Sequence, residues 1–168
     1  MAESAMYYAA EVAIFGANDL DSLGSSSTLL DGRESNVIDN TSNKYLDAIL
    51  SGIFKTNAST PTAGVLQIWV GALVGDSVYP DVFEGTSSAE TITSAGIRNS
   101  SLKLAHQIDI EAAAARVYPF TGVSVRTAFG GTLPPKWFVF VTHNTVQALN
   151  ASTGLGGTVY YQGVKITP

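Results

Sequence analysis

The chain contains no cysteine. Disulfides, thiolate nucleophiles and zinc–thiolate centres are excluded together, so packing and hydrogen bonds alone must hold the fold. Charge is scarce as well: 14% of the 168 residues are Asp, Glu, Lys or Arg, against roughly 25% in an average soluble domain. Ser, Thr, Asn and Gly must cover much of the surface, and a surface so poor in charge is weakly defended against association. The nine basic residues are dispersed and the net charge is −5, which excludes the phosphate-neutralising footprint of a nucleic-acid binder. No Lys or Arg precedes Arg33, so the N-terminus lacks the basic region of a secretory signal and reads as part of the mature protein. Residues 56–75 are uncharged, but their first half is polar and holds Pro61. The apolar remainder is too short to cross a bilayer, and no membrane partner is expected.

What is present is mainly β. Short runs of β-branched and aromatic residues are separated by Gly, Ser, Thr, Asn and Pro clusters, and EAAAAR at 111–116 is the one stretch with strong helix propensity. VLQIWVGALV (65–74) is a strand bounded by turn chemistry. In SLKLAHQIDIEA (101–112) Leu102, Leu104, Ile108 and Ile110 alternate with polar or small residues, the period of a half-buried antiparallel strand. FTGVSVRTA (120–128) alternates again, KWFVFVTH (136–143) is apolar on both faces as a central strand would be, and GTVYYQGVKI (157–166) closes the set. NKYLDAILSGIFK (43–55) has mixed periodicity and is assigned to strand because everything around it is β. Seven to nine such strands in a chain of this length predict one all-β domain: a two-sheet antiparallel sandwich, jelly-roll-like. Residues 33–168 form this domain. Residues 1–32 read as an N-terminal strand and flexible arm, whose apolar Met6, Tyr7, Tyr8, Val12, Ile14 and Phe15 are the expected contacts with a partner.

Chemistry-bearing constellations are few. His143 follows the parity of Trp137, Val139 and Val141 at the end of its strand, where exposure should rise, and His106 follows that of its own strand. Neither has the spacing of a ligand set or a flanking nucleophile motif. The carboxylates are scattered from Asp19 to Glu111, and DNTSNKYLD and ANDLDSLG supply oxygens without the pattern of a calcium loop. No catalytic residue, metal or cofactor is assigned. Gly130–Gly131 and Pro134–Pro135 form a turn and a rigid entry into a core strand. Trp69 and Trp137 lie within apolar strands, which makes them core residues and disfavours a sugar-stacking module.

YPDVFEGTSSAET (79–91), VYPFTGVSVRTAFGGTLPPKWFVFVTHNT (117–145) and the closing VYYQGVKITP resemble small structural proteins encoded among the virion genes of tailed bacteriophages. The likeness spans residues 33–168 and is one of texture: an aromatic strand ending in Asn-Thr, a preceding Gly-Gly-x-Leu-Pro loop and a C-terminal Tyr-x-Gly-Val. It implies a non-enzymatic virion component, a capsid decoration or cement protein on the outer capsid surface. Its partners would be the major capsid protein and copies of itself; the low charge and apolar composition, which leave surface needing cover, predict a closed oligomer, a trimer first and a dimer second. A tail or connector component and a carbohydrate-binding or adhesin-type module are the alternatives.

Overall fold

A computed structural model describes residues 5–75, 77–151 and 157–167. Glu3, Asp76 and the first four residues of the expected arm lie outside them. The strands are β1 (Ala5–Tyr8), β2 (Val12–Ala13), β3 (Asp31–Glu34), β4 (Ile38–Asp39), β5 (Asp47–Lys55), β6 (Gly64–Ala72), β7 (Ala89–Thr91), β8 (Leu102–Ile110), β9 (Val117–Ser124), β10 (Lys136–His143) and β11 (Gly157–Thr167). Two short helices, α1 (Ala95–Ser101) and α2 (Val125–Ala128), interrupt them. One sheet runs β1-β11-β5-β9, with β2 also on β11; the other runs β7-β3-β10-β6-β8, with β4 also on β10. All pairings are antiparallel. The all-β, two-sheet antiparallel sandwich expected from the strand pattern is the fold observed.

β10 explains the layering. Seven of its eight residues are buried. Trp137, Val139 and Val141 point into the core between the sheets, with Leu50, Leu66, Ile68, Val70 and Val159. Phe138 and Phe140 point the other way, into a second core with Trp69, Phe83, Ile92 and Leu102. The second core exists because the excursion between β6 and β8, which includes β7 and α1, folds back over the outer face of its sheet. Phe83 contacts the rings of Phe138 and Phe140 at centroid separations of 4.7 and 5.5 Å. Close approach needs glycine here: a Cβ on Gly71 would collide with the rings of Phe138 and with Leu102.

The N-terminal segment differs from the expected arm. β1 and β2 pair with β11 of their own chain, and the N–H of Ile14 donates to Val159 O at 2.9 Å. Ile14 and Phe15 are buried in the inter-sheet core together with Leu20 and Leu23. Those two residues are therefore corrected from partner contacts to core, and the Ser/Gly/Asp-rich stretch after them is a pinned crossing from one sheet to the other. Its composition signals turns, but its leucines anchor it. Two further points concern local structure. Residues 111–116, despite their helix propensity, form no helix; they make the short crossing from β8 to β9. There the Thr56 hydroxyl donates to Ala113 O and accepts from the N–H of Arg116. The strand expected over 120–128 stops at Ser124, whose hydroxyl caps α2 by accepting from the N–H of Thr127.

Phe15→Ala and Trp137→Ala should each lower the unfolding free energy by about 3–5 kcal/mol, the cost of truncating a buried aromatic. Urea unfolding measures it. A Phe15→Ala protein as stable as the parent would return residues 1–15 to the status of an arm.

Candidate interaction surface

The two sheets are covered unequally. One is packed on both faces, as described. No strand or helix among the described residues lies across the outer face of the other. Ladder parity identifies that face: Met6 pairs with Ile166 and Tyr8 with Val164, Ile53 with Thr158 and Pro119, and Val117 with Lys55. Side chains paired in this way share a face. Met6 is 64% and Ile166 58% exposed, and Tyr8, Ile53 and Val117 are exposed too. Polar members interleave with them, Thr158, Lys55 and Asp47 among them; the Ser51 hydroxyl donates to Glu11 Oε1 at 3.2 Å, and Gln162 Nε2 donates to Ala9 O at 2.9 Å. Of the six residues singled out for partner contact, Met6 and Tyr8 stand on this face. Tyr7 points to the opposite side, where Lys165 Nζ lies 5.2 Å from its ring centroid, and Val12 is exposed beside β11.

The histidines and tryptophans do not form a site. His143 is fully buried rather than exposed at a strand end, a correction whose cause is the crossing segment that covers it. Its Nε2 meets Leu23 O at 2.9 Å and its Nδ1 meets Thr145 Oγ1 at 3.0 Å. A carbonyl can only accept, so the proton of the neutral ring sits on Nε2 and Nδ1 accepts from Thr145. Burial lowers the His143 pKa below 6.5, which favours this neutral form. His106 stacks on Phe120. Trp137 is core, and Trp69 is only 7% exposed. The indole N–H of Trp69 is held by Gln67 and its ring is covered by the Arg98 guanidinium at 4.7 Å. Neither ring offers a platform for a sugar.

A groove of about 550 Å³ opens between β8 and β9, lined by Leu104, Ala105, Gly122, Val123, Ser124 and Thr127. Of its two hydroxyl side chains, that of Ser124 already donates to Asp47 Oδ2 at 2.7 Å. Among the described residues no cluster of three or more His, Asp or Glu side chains could hold a metal ion.

The most perturbed acid is Glu34, which sequence reasoning passed over as one scattered carboxylate among many. It is fully buried, with Oε1 accepting from the N–H of Gly85 at 2.8 Å and Oε2 from the N–H of Glu84 at 3.1 Å. It thus fastens the excursion to β3. Burial pushes its pKa up to about 7 against those two hydrogen bonds, with the charges of Glu90 and Glu84 adding to the rise. Comparison with protein-family models, curated proteins and solved structures finds no match to this chain.

Between pH 4.5 and about 7 the folded chain holds the Glu34 proton more tightly than the unfolded chain. The Glu34 contribution to stability is therefore present below pH 4.5 and is lost as pH rises through about 7. His143 acts in the opposite sense, adding stability as pH rises toward 6.5. Glu34→Gln removes only the first effect. Relative to the parent it should gain stability over this window by up to roughly 3 kcal/mol, measured by urea unfolding at several pH values; a difference independent of pH would refute the assignment. His143→Leu removes two buried hydrogen bonds but leaves Leu23 O with the N–H of Leu149 and the Thr145 hydroxyl with Gln147 O, and should cost about 1–3 kcal/mol.

Proposed function

We propose that the chain is a structural virion protein of a tailed bacteriophage, a decoration or cement protein on the outer surface of the capsid. In this reading it stabilises the shell by binding several neighbouring capsid subunits at once, so that many modest contacts act together. The observation that carries the reading is the unequal covering of the two sheets. One outer face is partly covered by a dedicated excursion of the chain, which buries Trp69, Phe138 and Phe140, while the other exposes Met6, Tyr8, Ile53, Val117 and Ile166. Exposed apolar surface of this kind marks an interaction site.

Strand order adds support. Taking β1 with β2 and β3 with β4 as single strands and setting β7 aside, the eight strands run first-eighth-third-sixth in one sheet and second-seventh-fourth-fifth in the other. We read this as jelly-roll winding, which viral capsid and lectin domains share. The buried tryptophans weigh against the lectin use of it. The sequence texture shared with phage virion proteins supplies the particular assignment.

The test is composition and rebinding of purified particles. The protein should be present in fixed ratio to the major capsid protein, and it should rebind stripped capsids. Ile53→Asp should weaken rebinding at least tenfold with an unchanged urea midpoint. Recovery of the protein with isolated tails, or its absence from particles, would overturn the assignment.

A further inference from the structure

Among the described residues β1, β7, β8 and β9 end the main strand orders of the two sheets, and three of them are guarded against another chain. β9 carries Pro119 and Gly122 at φ 77°, and a register shift lies in its pairing with β5. β8 carries Lys103 and Asp109 and faces a second register shift. β7 is three residues long and includes Glu90. Proline, charge, irregularity and shortness are the devices that stop edge-to-edge association. β1, Ala-Met-Tyr-Tyr, has no charge, no proline and no irregularity in its pairing with β11. The N–H of Ala9 donates to Gly163 O at 2.8 Å. The alternation of an antiparallel ladder then turns the backbone groups of Tyr7 toward β11 and those of Met6 and Tyr8 away from it.

We propose that β1 is a homotypic edge, pairing antiparallel with β1 of a second copy about a two-fold axis at Tyr7. In that register Met6 of each chain opposes Tyr8 of the other. Both outward N–H groups and both outward carbonyls of each strand are then satisfied, and a thioether meets a tyrosine ring on the bare face. No charged side chain of either strand is opposed, and the contact is closed after two copies because the same patch serves both. The bare faces of the two sandwiches join into one continuous surface. Met6, Tyr7, Tyr8 and Ile166 are the exposed apolar side chains at the junction. The area they can bury falls well short of the roughly 1,200 Å² of a stable complex, so the dimer is weak and concentration-dependent. A dimer, rather than the trimer favoured on composition, is what this edge builds. The inference does not rest on a place in a virion, and its test needs only the isolated protein.

Sedimentation equilibrium from low micromolar to near-millimolar concentration should show a reversible monomer–dimer equilibrium. Met6→Pro removes an N–H that β11 does not use, and Tyr8→Lys supplies the missing guard. Each should weaken dimerisation at least tenfold with the urea midpoint unchanged, and either serves if the other fails to fold. The register is read by cysteine, since the chain has none. Tyr7→Cys should form a disulfide-linked dimer under mild oxidation, because residue 7 faces itself. Met6→Cys should not, its partner copy lying beyond the about 7 Å that a disulfide bridges. A parent that stays monomeric throughout would overturn the proposal, as would a trimer or equal cross-linking at positions 6 and 7. So would dimerisation untouched by the folded variants.

Discussion

A strand that is apolar on both faces must be covered on both, and β10 imposes that requirement on the whole molecule. Trp137, Val139 and Val141 demand an opposing sheet; Phe138 and Phe140 demand a second cover outside their own. The excursion between β6 and β8 meets the second demand with Phe83 and Ile92. Residues 14–23 help to meet the first by closing over one end of the sandwich. What is left bare is the outside of the other sheet, where Ile53, Val117 and Ile166 stand opposite the core side chains of their own strands without a covering segment. The exposed apolar face is therefore a by-product of where the chain spends its covering segments.

Short polar side chains do the fastening that ion pairs perform in more highly charged proteins. The Asp31 carboxylate accepts from the Ser26 and Thr91 hydroxyls, and Asp81 accepts from the N–H and hydroxyl of Thr93. Asn40 exchanges two bonds with the backbone of Tyr45. Hydrogen bonds at Ser26 and Thr91 hold the Asp31 pKa below the ordinary carboxylate value. Asp19 is likewise lowered, its burial being outweighed by Ser87, the Gly16 N–H and Arg33. Such bonds connect loops to strands at fixed points. They need few charged side chains, and a surface so poor in charge is weakly defended against association.

The strands were legible because period-two alternation and turn residues report local geometry directly. β6, β8, β10 and β11 fall where the pattern places them, and the two-sided apolarity of β10 correctly marked a central strand. The misreadings share a cause. Ile14 and Phe15 look alike on an arm and in a core, since sequence does not show what covers a residue. His143 stands at a strand end that another segment roofs over. The helical preference of the alanines at 112–115 yields to the short span between β8 and β9, and the strand preference of Val125 yields to the Ser124 cap. Glu34 was invisible for the same reason as Phe15: its burial is made by residues 50 positions away. The exposed face could be anticipated only as low charge, because which apolar residues stay uncovered is decided by the return of the excursion.

Both central strands come late in the chain. β10 joins β6 to β3 and β4, and β11 joins β5 to β1 and β2. During synthesis, at about 5–20 residues per second, the earlier strands emerge with open ladders and wait for partners not yet made. Phe140 must find Glu34 across more than a hundred residues of chain. Topology of this kind folds slowly, and a nascent chain interrupted before residue 136 would present unpaired strands from both halves of the sandwich to its neighbours. Cells producing the protein in quantity therefore face a hazard of premature association through interior strands, quite apart from any assembly of the finished fold.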